Sequence, residues 1–167
     1  MPNIELVAPT ARDTKAVAAA VASLLRPRDV VTLTGDLGAG KTTFVQGAAA
    51  ALEVTQPVSS PTFVLVKEYA GRLRVHHLDV YRLTTVQEVL DLGLEEMLEA
   101  AGVVFIEWGD AIDALLPQDH LQVELALRGE DDTRTLTMSA GDGATWAARW
   151  TDLETATASW AAVRRGA

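Results

Sequence analysis

The chain has 167 residues, 49% of them hydrophobic, which places it in the ordinary range for one domain, 1–167, with a continuous core. Its 23 carboxylates against 14 Lys plus Arg give a net charge of −9, so unaided binding to RNA, DNA or an anionic membrane works against net repulsion. Cysteine is absent, which excludes disulfides and thiolate metal sites; the N-terminus lacks a secretion signal and the longest apolar stretch, 16–25, is about half of the roughly 20 residues a membrane span needs, so a soluble cytoplasmic protein is expected.

In chain order, β-rich runs at 4–7, 30–34, 62–69, 73–80, 103–108, 121–127 and 133–139 predict strands. Between them, 11–25, 41–52, 86–100, 110–116 and 145–164 predict helices, with Thr10 and Asp13, or Thr84 and Gln87, at capping-box spacing. Alternation of the two predicts an α/β fold with a mostly parallel central sheet flanked by helices. Two interruptions predict antiparallel hairpins, one around Ala70-Gly71 and one around 128–132. Trp146 and Trp150, four apart, are expected to pack the C-terminal helix onto the sheet.

The sequence "VVTLTGDLGAGKTTF" (30–44) carries G-x-x-x-x-G-K-[ST] at Gly35 to Thr42, between a predicted strand and a predicted helix. Glycines at 35, 38 and 40 allow positive φ and close approach, so that successive N–H groups form an anion nest in front of the positive end of the helix dipole. Lys41 is expected to bridge the β- and γ-phosphates of a nucleoside triphosphate and the Thr42 hydroxyl to ligate Mg²⁺, with Thr43 assigned to capping or packing. "VVFIEW" ends a core strand with Glu107, suited to orient a magnesium-bound water. Trp108 is expected on the opposite face, in the core or against the nucleotide.

In "LRVHHLDVYR", Val75, His77, Asp79 and Tyr81 share one strand face, so His76 and His77 cannot readily bind one metal together. A His77/Asp79 metal pair is less favoured than an Asp79 aimed at the magnesium shell or the attacking water, with His77 as its neighbour. Tyr81 and Arg82 are candidates for positioning a partner or phosphate, with a solvent-facing Arg82 the open alternative. In "SSPTF", Pro61 keeps Ser60 extended and Thr62 can offer its hydroxyl to metal or γ-phosphate.

Together "GDLGAGKTTFVQG" (35–47), "SPTFVLVKEY" (60–69), "HLDVYRL" (77–83), "LGLEE" (92–96) and "IEWGD" (106–110) resemble, in order, the TsaE family of small bacterial P-loop ATPases. The resemblance implies a P-loop NTPase fold and ATP hydrolysis in tRNA threonylcarbamoyladenosine synthesis. It also implies work with the TsaB and TsaD subunits, which install the modification on adenosine 37 of tRNA, the tRNA being reached mainly through that complex. It implies a phosphate cradle of Gly35, Asp36, Leu37, Gly38, Ala39, Gly40, Lys41, Thr42 and Thr43, magnesium ligands Thr42 and Glu107, a switch residue Thr62 and a hydrolytic Asp79. Thr14 and Arg134 are weaker nucleotide-binding candidates. The chain departs from the family at Gly109, where proline is common, and in its last 45 residues or so, which match only in general pattern.

Two other readings share the loop. In a small-molecule or nucleoside kinase, "DVYR" would supply the acceptor-binding carboxylate and arginine, but an Arg-rich lid is missing from the sequence. A nucleotide-dependent regulatory switch for guanine would need N-K-x-D and D-x-x-G, and the chain has neither. With Arg82 the nearest guess for an arginine finger, the subunit alone is expected to be a weak ATPase.

Overall fold

The computed structural model describes residues 2–62 and 65–162. Seven strands form one sheet: β1 (Asn3–Ala8), β2 (Val30–Thr34), β3 (Val66–Tyr69), β4 (Val75–Asp79), β5 (Val103–Glu107), β6 (Leu121–Leu127) and β7 (Arg134–Ala140). Their order is β1-β7-β6-β2-β5-β4-β3. The four central strands β6, β2, β5 and β4 pair in parallel, while β1 on β7, β7 on β6 and β3 on β4 are antiparallel. Both expected hairpins are therefore present, and the parallel centre is buried on both faces, as its apolar composition requires.

Side-chain alternation divides the core. Val31, Leu33, Val103 and Phe105 point to the face covered by α1 (Ala11–Ala22), α2 (Lys41–Ala51), α5 (Ala144–Ala147) and α6 (Trp150–Thr157). Val30, Leu78, Val104 and Ile106 point to the other face, covered by α3 (Val86–Asp91), α4 (Leu94–Glu99) and a 3₁₀ helix (Gly109–Leu115). Trp146 and Trp150 are both buried in the first cluster, as expected for residues that pack the C-terminal segment down. Gly47 is required where α1 crosses α2, because a Cβ there would sit 2.5 Å from the Lys15 Cα.

Several boundaries differ from the sequence expectation. The strand expected over 62–69 spans Val66–Tyr69; Phe63 and Val64, within that range, lie outside the described residues. The helix expected over 86–100 breaks into α3 and α4 at Gly93, whose φ of 84° is left-handed. Its cap is Thr85 with Glu88 in a reciprocal capping box, one residue later than Thr84 and Gln87, whereas Thr10 does cap α1 by accepting from the Asp13 N–H.

The helix expected over 110–116 is a 3₁₀ helix spanning Gly109–Leu115, with Leu116 extended, and the helix expected over 145–164 is interrupted at Arg149. Arg149, at this break, turns its guanidinium inward. It donates to both carboxylate oxygens of Asp29 at 2.6 and 2.9 Å and to the Leu24 carbonyl, over the face of Trp146. A second 3₁₀ turn (Ala158–Trp160) follows α6, and residues 163–164 of that expected helix lie outside the described residues. No helix among the described residues is long and apolar enough to cross a membrane.

Candidate functional site

β2 lies between β6 and β5, and its C-terminal end runs into the glycine-rich loop that leads to α2. Ligand crevices of open α/β sheets form outside such strand ends. Gly35 takes φ 133° and passes so close to β6 that a Cβ there would lie 2.2 Å from the Leu125 carbonyl oxygen, so no other residue fits without moving the strand. Gly38 (φ 79°) and Gly40 (φ 106°) continue the left-handed turn. Gly40 is the N-cap of α2 and has no side chain to occupy the first-turn N–H groups, which leaves the positive helix end facing the loop.

Strand register sets the rest. Glu107 is opposite Leu33 on one side and Asp79 on the other, so both carboxylates stand in one row at the strand ends. Both follow the parity of Phe105 and Val75, which puts them on the face that carries α2. The Thr42 hydroxyl, in the first turn of α2, donates to the Glu107 carboxylate, 2.9 Å to Oε1 and 3.2 Å to Oε2. Across the sheet, His77 Nε2 lies 2.7 Å from Glu107 Oε2, with the ring fully buried. A carboxylate acceptor places the proton on Nε2. Sequence reasoning made His77 the neighbour of Asp79; its side chain instead fixes Glu107.

Asp79 binds the segment that precedes β3. Thr62 Oγ1 donates to Asp79 Oδ2 at 3.1 Å, and the Tyr81 main-chain N–H donates to Oδ1 at 2.9 Å. Ser60 Oγ contacts Thr62 Oγ1, Gln46 Nε2 donates to the Val58 carbonyl, and Lys67 Nζ to Ser59 Oγ. Thr62, Asp79, Glu107, Lys41, Thr42 and Thr43 thus line one cavity of about 230 Å³, with Leu37, Gly38, Gly40, Ser60 and Trp108. The part played by Ser60 escaped the sequence reading, although the serine beside Thr62 was a visible signal.

Lys41 is buried, and its ammonium donates to the Gly35 and Asp36 carbonyls at 2.5 and 2.9 Å. Burial pushes it below its usual range, opposed by the carboxylates of Glu107, Asp79 and Asp36. Trp108 departs from expectation. It follows β5 in a left-handed conformation (φ 64°), so it no longer alternates with Glu107, and its ring centroid lies 4.0 Å from Lys41 Nζ. Tyr81 meets that ring at a tilt of 36°, centroids 4.7 Å apart.

The two weaker candidates lie behind the site. Arg134, on β7, donates through Nε to the Ala39 carbonyl at 3.0 Å and through Nη2 to the Gly38 carbonyl at 3.3 Å, bracing the loop from outside the cavity. Thr14 is buried on α1 and does not line the cavity. Arg82 is exposed.

Among the described residues no three or more His, Asp or Glu side chains form a metal-ligating group. The oxygen donors that do converge, one hydroxyl and one carboxylate at Thr42 and Glu107, suit a hard cation that takes its remaining ligands from water and phosphate, as magnesium does.

The family model described as threonylcarbamoyl adenosine biosynthesis protein TsaE matches residues 8–136. A Bacillus subtilis protein named tRNA threonylcarbamoyladenosine biosynthesis protein TsaE is 47% identical over 129 residues, covering 77% of this chain and 80% of the relative. A Treponema pallidum protein of the same name is 38% identical over 133 residues, covering 80% and 98%. The crystal structure of Bacillus subtilis YdiB superposes with a TM-score of 0.79 at 37% identity, over 92% of this chain and 95% of that one.

Proposed function

The chain belongs to the TsaE family, and from that premise we propose that it is the ATP-hydrolysing subunit required for threonylcarbamoyladenosine modification of tRNA, built on a P-loop NTPase fold. The observation that carries the reading is the convergence of Lys41, Thr42, Asp79 and Glu107 at the end of the parallel strands, around a positive-φ glycine loop that leads into the N-terminus of α2.

In this reading the main-chain N–H groups of residues 35–43 surround the phosphates, while Lys41 gives up carbonyl partners for phosphate oxygens. Thr42 and Glu107 would hold Mg²⁺, which when bound neutralises charge on the phosphates. His77 keeps the Glu107 carboxylate turned toward Thr42. Asp79 holds Thr62 and so ties the 58–62 segment to the strand ends; a water oriented by Asp79 is the nucleophile, and hydrolysis releases that segment. Catalysis is then positioning and charge neutralisation.

An acidic chain reaches tRNA through partners, which the family resemblance identifies as TsaB and TsaD, and its hydrolysis energises turnover of that complex in the cytoplasm. The reading is tested by reconstitution with TsaB, TsaD, tRNA and the threonylcarbamoyl donor, scoring modified tRNA over many cycles. Wild type sustains cycling and Lys41→Ala does not; equal multiple turnover by the variant rejects the coupling.

A further inference from the structure

The net charge of −9 is not spread over the molecule. Residues 83–127 contain ten carboxylates and no Lys or Arg, whereas the rest of the chain has thirteen carboxylates against fourteen Lys plus Arg and is close to neutral. Seven of the ten, Glu88, Asp91, Glu95, Glu96, Glu99, Asp110 and Asp113, are exposed on α3, α4 and the 3₁₀ helix. One face of the sheet is therefore covered by a one-sign layer, and the opposite layer is not.

Within that acidic layer lies an apolar groove of about 160 Å³ between the start of α3 and the 3₁₀ helix, lined by Leu83, Val86, Val89, Ile112 and Leu115 among others. Val86, at its lip, is 57% exposed, and Tyr81, two residues before Leu83, is 51% exposed. Leu83, Leu115 and Trp108 pack on the same apolar cluster, and the Trp108 ring contacts both Tyr81 and Lys41. The groove and the nucleotide cavity are thus joined through one apolar cluster, with no lining residue in common.

We propose that this groove and its acidic surround are the docking surface for a protein partner that inserts one apolar side chain flanked by lysines or arginines. The groove supplies desolvated contact for the anchor, and the carboxylates supply steering and register. The same charge repels RNA, DNA and anionic lipid, and a second copy of this acidic layer repels the first. The inference rests on the function proposed above, because it assigns the groove to the subunits with which this chain works.

The test is binding of the purified TsaB–TsaD complex to the chain at fixed Mg–ATP, over a salt series. Val86→Glu places a charge at the lip at a first-turn helix position where glutamate is tolerated, and Asp91→Lys with Glu95→Lys reverses part of the surround. Asp152→Lys with Glu154→Lys makes the same change in net charge on α6, across the sheet. Val86→Glu and the α3–α4 reversal are expected to weaken binding at least tenfold, the reversal also flattening the salt dependence. The α6 reversal binds as wild type, Mg–ATP affinity stays unchanged in all three, and the two reversals, each placing a lysine in a helix first turn, lower the melting temperature by no more than about 4 °C. Wild-type binding that neither groove variant disturbs overturns the docking surface while leaving the proposed function standing. An α6 reversal as damaging as the α3–α4 one reduces the effect to net charge and overturns it as well. If wild type does not bind the complex at all, both the partner assignment and the docking surface fall, and self-association abolished by Val86→Glu would give the groove to a second copy and overturn the inference.

Discussion

Replacing Glu107 by glutamine separates the structural from the ionic contribution of that side chain. The carboxylate is 3% exposed and accepts from both Thr42 and His77. Hydrogen bonds to a charged group contribute about 1.5–3 kcal/mol and neutral ones about 0.5–1.5 kcal/mol, so the variant weakens one bond and exchanges the other for an amide without acceptor capacity at its nitrogen. Relief of the buried charge offsets part of that loss. A net destabilisation of about 1–2 kcal/mol follows, or roughly 2–8 °C in melting temperature for a chain of this size. The ionic effect is larger and has opposite signs with and without metal. With Mg²⁺, loss of the anionic ligand lowers ATP affinity by about 10–100-fold. Without metal, the carboxylate faces the phosphates and repels them, so Glu107→Gln binds ATP as well as or more tightly than wild type. Calorimetric titration of ATP at several Mg²⁺ concentrations reads both arms. A variant whose ATP affinity keeps the wild-type dependence on Mg²⁺ would refute the assignment of Glu107 to the metal.

Three further outcomes follow from other parts of the structure. Gly35→Ala drives a Cβ to 2.2 Å from the Leu125 carbonyl at a φ of 133°, so it is expected to cost about 1–3 kcal/mol and to abolish ATP binding; thermal melts with and without Mg–ATP check both. Arg149→Met strips the Asp29 carboxylate of two donors in a buried position and is expected to lower stability by about 3–5 kcal/mol in urea denaturation, with Mg–ATP affinity in native buffer unchanged. Lys41 has its pKa lowered by burial, so the fold carries an unfavourable contribution below that lowered value, relieved as pH rises toward the unfolded value of 10.5. Phosphate raises the pKa again, and ATP binding at a pH between the lowered value and 10.5 should take up protons, seen as a dependence of binding enthalpy on buffer ionisation heat; no net uptake anywhere along an alkaline pH series up to 10.5 would place the ammonium away from the phosphates.

The parts of the fold legible in the sequence are those fixed by local chemistry. The β-branched runs of β2 and β5 and the glycine spacing at 35, 38 and 40 each demand one backbone path, and the structure follows it. Hairpins were legible because turn residues separate two alternating runs at 70–71 and 128–132. What was not legible depends on groups far apart in the chain. Arg149, at the break between α5 and α6, pairs with Asp29, 120 residues away, and no helical periodicity reports that. Trp108 could not be placed by counting along a strand, because the strand ends at Glu107 and the next residue takes positive φ. His77 and Asp79 share a face by period, but only the offset of β4 against β5 decides that His77 reaches Glu107 while Asp79 reaches Thr62.

That offset matters for how the site is wired. Glu107 is held by Thr42 and His77, both on regular elements, α2 and β4, whereas Asp79 is held by Thr62 on an irregular segment and by the Tyr81 main chain. Elements packed on both faces open at a cost near that of global unfolding, while exposed connections open for far less. The carboxylate assigned to the metal is therefore the rigid one of the pair, and the carboxylate assigned to the water is bonded to the segment able to move. Lys41 stands between these two regimes. Two of its N–H donors are held by the loop's own carbonyls, and the face of Trp108 covers it, a ring that Tyr81 also contacts. A displacement at Tyr81 would reach the ammonium through a single ring, without needing to deform the sheet.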